Sequence, residues 1–360
     1  MIIVKFIVGV IFLIVGAEGL VRGASRLATS FGISPLVVGL TVVALGTSSP
    51  ELAVNLNAAL SGQAGIALGS VIGSNIFNVL LILGISAMII PLTVSEQLIR
   101  LDVPLMIGLS VTVFLMGLDG EIGRFDGLIL LTAVVSYTAY LIIQSRREEA
   151  AKEAAQPSDA EEEPSSSWYV NVGMLVGGFA LLVLGSRWLV EGAVTFATFL
   201  GVSELIIGLT IVAAGTSLPE VVTSIIAAFR GERDIAVGNA VGSNIFNLTA
   251  VIGTASVVSP VGIEVSPAII QFDFPILMAV AFACLPIFFT EGTISRWEGA
   301  LFFGYYLAYT TYLILAATEH DALTGFSWVM LSFVAPLTAI TIIVIALQEL
   351  RHRMKAPVEA

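Results

Sequence analysis

Apolar stretches of about 20 residues, the length a helix needs to cross hydrocarbon, alternate along this chain with short polar segments. They fall at residues 2–20, 35–60, 67–90, 103–118 and 125–143, then at 168–190, 202–229, 236–258, 272–290, 298–316 and 327–347. Backbone facing lipid must satisfy its own hydrogen bonds, and no stretch shows the alternation of a barrel strand, so each is predicted to be a helix. The pattern predicts an all-α polytopic membrane protein with five spans, five more, and a last one. The run from Ile2 to Gly16 continues into Leu20 without a small-residue cleavage site, and is read as the first span, not as a leader.

The long polar interruption is the stretch 144–167, with Glu148, Glu149, Glu153, Asp159, Glu161, Glu162 and Glu163 among Ala, Ser and Pro. Its composition is that of a solvated linker, with helix-forming residues at its start. It divides the chain into a first unit (1–143), the linker (144–167), a second unit (168–316), and a final loop, extra helix and basic tail (317–360).

The two units repeat one another. Gly46-Thr47-Ser48-Ser49-Pro50-Glu51 returns as Gly215-Thr216-Ser217-Leu218-Pro219-Glu220, and Gly73-Ser74-Asn75-Ile76-Phe77-Asn78 returns as Gly242-Ser243-Asn244-Ile245-Phe246-Asn247. Gly32, Ser34, Gly39, Leu40, Thr41, Gly69, Gly84 and Pro91 recur at the same offset as Gly201, Ser203, Gly208, Leu209, Thr210, Gly238, Gly253 and Pro260. Five spans per unit is an odd number, so the second copy enters the membrane upside down. Inverted repeats of this kind place a substrate site near the midplane, on helices interrupted by Gly and Pro.

Composition narrows the class. The 360 residues are 57% hydrophobic and only 12% charged, with a mean hydropathy of +1.00, which excludes an ordinary soluble domain. Cys284 is single and His320 and His352 lie at or beyond span ends, so a disulfide framework, a histidine metal site and histidine catalysis are not expected. The net charge of −12 is partly the linker's. Lys5, Arg124 and Arg187 fall on one side of the span map, and the remaining twelve of the fifteen Lys and Arg on the other. The positive-inside rule then puts the N-terminus outside, with the linker and C-terminus in the cytoplasm of a plasma-membrane protein.

Glu51 and Glu220 sit in matching places inside apolar spans, where an ionised carboxylate is costly without a cation or a proton. Pro50 and Pro219 remove a helical hydrogen bond, and carbonyls freed around Ala44 and Ala213 would become ligands for a hard cation. Thr47 and Ser48 lie four and three residues before Glu51, and Ser74 lies four before Asn78, so their oxygens share helix faces. This all-oxygen inventory suits Ca²⁺ or Na⁺; Mg²⁺ demands a tighter octahedron, and zinc or copper would recruit Cys or His. Two carboxylates supply the −2 that one Ca²⁺ or several Na⁺ would neutralise, and competition for shared oxygens converts leak into exchange.

At these residues the chain resembles the calcium/cation antiporter superfamily in its sodium/calcium exchanger branch of the prokaryotic type. Two copies of G-T-S-x-P-E, each followed at matching distance by G-S-N-I-F-N, carry the resemblance over residues 1–316. It implies ten core helices in two inverted halves, with the eleventh span at 327–347 lying outside that core, and alternating access by sliding of gating helices against a fixed bundle. It also implies electrogenic Na⁺/Ca²⁺ antiport with no cofactor, Ca²⁺ and Na⁺ being the transported ions and the bilayer the only other partner, with neither nucleic acid nor a protein partner. The ligands it implies are the side chains of Thr47, Ser48, Glu51, Ser74, Asn78, Thr216, Ser217, Glu220, Ser243 and Asn247, with the carbonyls of Ala44 and Ala213. Some members carry Asp where this chain has Asn247, an acid associated with potassium dependence, so K⁺ co-transport is disfavoured. Proton/Ca²⁺ antiport is the alternative; a channel or an intramembrane enzyme fits the proline-broken inverted repeats less well.

Other features take plainer expectations. Glu18, Glu191, Asp102, Asp119, Asp126, Asp273 and Glu298 are expected as interfacial charges, and Trp168, Trp188, Trp297 and Trp328 as an interfacial belt. Gly69 to Gly73 and Gly238 to Gly242 have the spacing of close helix packing.

Overall fold

The computed structural model describes residues 2–62, 64–155, 168–202, 204–207, 210–211, 213–290 and 292–355. The linker residues 156–167 lie outside the described residues, as do Ser203, Gly208 and Leu209 of the repeat match. The chain is an all-α polytopic membrane protein. In chain order its helices are α1 (Ile2–Phe31), α2 (Pro35–Thr47), α3 (Ser49–Leu60), α4 (Ala67–Ile89), α5 (Leu98–Asp119) and α6 (Arg124–Ala155). There follow α7 (Trp168–Phe199), α8 (Leu218–Phe229), α9 (Arg233–Val258), α10 (Ile269–Phe289), α11 (Arg296–Ala317) and α12 (Ala322–Ile345). Among the described residues nine helices are long and apolar enough to span, and α2 with α3 makes a tenth as one span bent by 46°.

Several helices outrun the spans read from hydropathy. α1 continues past residue 20 through Arg22 and Arg26, α7 past 190 to Phe199, and α6 past 143 to Ala155, so the start of the linker is helix. Hydropathy marks only the length that touches hydrocarbon. Beyond it these helices are held by polar pairing: Glu18 with Arg22 one turn on, and Lys5 of α1 with Glu191 of α7 at 3.0 Å. Two acids expected at the interface are buried instead. Asp102 accepts from Tyr137 Oη at 2.8 Å and from Gln97 Nε2 at 3.2 Å. Glu298 accepts from the Ser295 amide and hydroxyl in a capping box at the start of α11. Of the four tryptophans expected in an interfacial belt, Trp168, Trp297 and Trp328 are exposed, while Trp188 is half-buried and stacks on Phe12 with ring centroids 5.2 Å apart.

α4 and α9 are the buried centre, α9 almost entirely so, while α11 and α12 face outward. That division explains their composition: only helices enclosed by protein can carry a run of Ser and Asn without exposing it to lipid. Both widen into a π-helical segment at matching places, Asn78–Leu83 and Asn247–Val251, as α5 and α10 do at Leu98–Asp102 and Ile269–Asp273.

The halves touch reciprocally, as two copies about a twofold axis do. A Cβ on Gly84 would strike Gly299 and Phe303 of α11, and one on Gly253 would strike Gly127 and Leu131 of α6. α1 and α7 run against each other through Gly9 with Gly185 and Gly16 with Gly178, where backbones meet with no room for a side chain. Gly238 and Gly242 similarly admit the backbone of α2, whereas a Cβ on Gly69 or Gly73 would meet nothing within 4 Å, so the close packing expected of that first pair is absent. The short strands β1 (Leu92–Thr93) and β4 (Thr293–Ile294) pair antiparallel, as do β2 (Glu121–Ile122) and β3 (Ile263–Glu264). Each ribbon joins loops that the span map had put on the same side.

Candidate functional site

The broken helices bring the two glutamates to the centre. Ser48 between α2 and α3 has φ −81° and ψ 3°, and Ser217 before α8 has φ −93° and ψ 6°, so both repeats leave helical geometry at the same residue. Pro50 and Pro219 follow at the start of the next helix, where a missing N–H breaks no bond. Glu51 and Glu220 then fall in its first turn, where the helix dipole favours negative charge. Both are 1% exposed.

One oxygen of each carboxylate is held from the opposite half. Ser48 Oγ donates to Glu220 Oε1 at 3.1 Å, and Ser217 Oγ donates to Glu51 Oε1 at 2.9 Å. Ser217 Oγ also lies 3.4 Å from Ser74 Oγ. The other oxygens, Glu51 Oε2 and Glu220 Oε2, are buried without a hydrogen-bond partner.

The asparagines follow the same reciprocal rule. Asn78 Nδ2 donates to Asn244 Oδ1 at 3.0 Å, and Asn247 Nδ2 donates to Asn75 Oδ1 at 3.1 Å. Asn75 and Asn244 in turn donate to each other's backbone carbonyls at 3.2 and 3.3 Å, pinning α4 to α9. With their amide nitrogens engaged, Asn78 and Asn247 keep Oδ1 free, and both oxygens are buried and unpartnered. Ser243 Oγ is a fifth such oxygen.

Five orphaned oxygens therefore come from the residues singled out in the sequence: two carboxylate, two amide and one hydroxyl. An unpaired buried acceptor carries its full desolvation penalty, so a cluster of them is a destabilised arrangement until a cation or protons arrive. Among the described residues no group of three or more His, Cys, Asp or Glu forms a metal centre; this donor set is hard oxygen and includes two carboxyl groups.

Not every expectation has the form given to it. Ala44 O is not freed by the break: it accepts the Ser48 amide at 2.9 Å and lies 3.4 Å from Thr47 Oγ1, because the turn tightens around Ser48 instead of opening at Ala44. Ala213 begins the short helix Ala213–Gly215. Thr47 is fully buried and Thr216 only partly. Asn75 and Asn244 were within the repeated motif yet had no role assigned, since their partners lie in the other half of the chain.

The fold and this central cluster define a membrane-embedded cation transporter built from two like halves. The chain belongs to the sodium/calcium exchanger protein family, whose profile matches residues 1–145 and 170–315. It is 37% identical over 315 residues to the putative antiporter CaxA of Alkalimonas amylolytica, covering 86% of this chain and 98% of that protein. It is 30% identical over 349 residues to the sodium/calcium exchanger MaX1 of Methanosarcina acetivorans, covering 87% and 99%. Among solved structures it is similar to the sodium-calcium exchanger NCX_Mj, with a TM-score of 0.73 at 28% identity over 88% of this chain and 99% of that one. Family membership makes the protein a cation/Ca²⁺ antiporter.

Proposed function

We propose that the protein exchanges Na⁺ for Ca²⁺ electrogenically, with Glu51 and Glu220 as the charged centre of one shared ion site. The observation that carries this reading is the set of orphaned oxygens, Glu51 Oε2, Glu220 Oε2, Asn78 Oδ1, Asn247 Oδ1 and Ser243 Oγ, drawn from both halves. To these the reading adds the hydroxyls of Thr47, Ser48, Ser74, Thr216 and Ser217 and the Ala213 carbonyl, while the Ala44 carbonyl, already accepting the Ser48 amide, has only its second lone pair to offer. Ca²⁺ takes six to eight oxygens in flexible geometry, a demand this mixture meets. One Ca²⁺ cancels the −2 of the pair; Na⁺ ions do so by occupying the same oxygens, so the two loads exclude each other. The empty, doubly charged site is the state least able to cross the hydrocarbon midplane, which couples the fluxes.

The neutral hydroxyls and amides outnumber the acids, and favour Na⁺ over H⁺ as the coupling ion. Sidedness follows the basic residues: the face carrying Arg22, Arg230, Arg233 and Arg296 is cytoplasmic, and the N-terminus lies outside the plasma membrane. The contacts are consistent with one sidedness, since Arg296 reaches Ile89 O on one face and Arg124 reaches Ser259 O on the other.

The test is Ca²⁺ uptake into proteoliposomes loaded with Na⁺ and diluted into Na⁺-free medium, with K⁺-loaded and pH-gradient controls. Uptake that needs internal Na⁺ and rises with a positive interior potential is expected. Uptake driven only by the pH gradient would keep the site and make the coupling ion a proton. Glu51→Gln and Glu220→Gln are each expected to reduce uptake at least a hundredfold, the order of two lost interactions with a charge, about 3 kcal/mol; near-normal rates in both would remove the site.

A further inference from the structure

The two halves of the site are not held alike, and the difference lies in a pair of residues that change places. In the first half Asn55 stands one turn after Glu51 and Ser70 stands on α4; at the matching positions of the second half stand Ser224 and Asn239. Each half thus owns one Asn and one Ser, exchanged between the glutamate helix and the central helix. Both asparagines find the glutamate's backbone carbonyl: Asn55 Nδ2 donates to Glu51 O at 2.8 Å, and Asn239 Nδ2 donates to Glu220 O at 3.3 Å. Only the second arrangement does more. From α9, Asn239 Nδ2 also donates to Ser224 Oγ at 3.0 Å, and its Oδ1 accepts the Thr47 hydroxyl, from the other half, at 3.0 Å. Asn239 is fully buried.

We infer that Asn239 is a positioning residue that sets Thr47 as a cation ligand and makes the two flanks of the site unequal; this rests on the proposed ion site. A hydroxyl can turn its lone pairs to a cation only if its proton is directed elsewhere. Thr47 Oγ1 has Asn239 Oδ1 at 3.0 Å, Ala44 O at 3.4 Å and the Glu220 carboxylate within reach; once an ion takes the carboxylate, Asn239 Oδ1 is the nearer of the two acceptors left. The Thr216 hydroxyl has no such acceptor among the described residues, since the matching position on α4 is the short Ser70. Partners one layer behind a ligand typically change metal affinity about 10–100-fold when removed. Thr47 is therefore preorganised by the same side chain that braces the Glu220 carbonyl, whereas Thr216 must be oriented when the ion enters.

The exchanged pair supplies its own experiment. Asn239→Ser removes the brace and the acceptor together. Ser224→Asn with Asn239→Ser copies the first half into the second, restoring an Asn beside the Glu220 carbonyl but leaving Thr47 without its acceptor. Apparent KM for Na⁺ and Ca²⁺, maximal rate and Tm are measured for both in proteoliposomes, with equilibrium ⁴⁵Ca²⁺ binding. Asn239→Ser is expected to raise KM for at least one ion about tenfold and to lower Tm. The double variant is expected to regain the Tm and keep the raised KM. Recovery of KM together with Tm in the double variant, or an unchanged KM in Asn239→Ser, overturns the role assigned to Asn239. Loss of Ca²⁺ binding in Glu51→Gln and Glu220→Gln, measured alongside, keeps that outcome apart from failure of the site itself.

Discussion

Asn75 and Asn244 illustrate how little of a ligand's preparation is done by the ligand. Each gives its side-chain oxygen to the amide of the other half's Asn247 or Asn78 and its own amide to a backbone carbonyl, so the ligating oxygens are left with one direction to face. Replacing Asn75 by Ala removes the acceptor of Asn247 Nδ2 and strands that donor in a dry interior. The expected result is an apparent Ca²⁺ KM raised about tenfold or more and a stability loss of about 1–3 kcal/mol, read from uptake kinetics and thermal unfolding. A wild-type KM in Asn75→Ala would mean that Asn247 is oriented by something else. At this scale the sequence was legible where chemistry is duplicated: paired acids in apolar spans are conspicuous because burial makes them expensive. It was illegible where partners come from far along the chain. Asp102 looked like an interfacial charge because its 2.8 Å bond from Tyr137 spans 35 residues and no spacing rule reports it.

Among the elements, the α1–α7 seam carries the most specific packing. A Cβ on Gly178 would lie within 3 Å of Gly16 O and Leu20 N, both backbone atoms that no rotamer change can move, whereas one on the adjacent Gly177 would meet nothing within 4 Å. Gly178→Ala is therefore expected to force the helices apart and to destabilise by about 1–3 kcal/mol, the usual result of overpacking. Gly177→Ala should be neutral or slightly stabilising, because Ala is the better helix former. Thermal unfolding in one detergent compares them, and equal Tm values for the two variants would contradict the seam. Spans were legible at this scale, since lipid selects apolar residues regardless of what packs behind them. Helix ends were less so: α6 continues through Arg146, Arg147 and Glu148 to Ala155, in a region where polar residues no longer mark the end of a helix. Nor could hydropathy separate the central α4 and α9 from their neighbours, although the G-S-N-I-F-N repeat picked out both.

At the scale of the whole molecule the symmetry between the halves is broken on one face. Arg230, at the end of α8, pairs with Glu18 of α1, and Glu232 accepts from Ser25 Oγ at 2.7 Å, tying α1 to the end of a site helix. The repeat maps Glu18 and Ser25 to Arg187 and Val194, and Arg230 to Ser61, a set that cannot form the same tie on the opposite face. The positive-inside pattern had placed Arg22, Arg26, Arg230 and Arg233 together, but which acid each would meet was not written in it. The resemblance implies gating helices that slide against a fixed bundle; if α1, which packs along α7, is one of them, the Glu18–Arg230 pair has to part before this face opens. The pair is partly exposed, so its contribution is small, about 1 kcal/mol or less. A bias of that size still changes a two-state population by up to about fivefold. Arg230→Ala is accordingly expected to lower the apparent Ca²⁺ KM on the face that carries the tie by about two- to fivefold and to raise it on the other. Glu18→Arg with Arg230→Glu should return both values towards wild type. Oriented proteoliposomes with Ca²⁺ presented to one face at a time give the two constants separately. Equal shifts on both faces, or no recovery in the reversed pair, would show that this contact packs the helices without gating them.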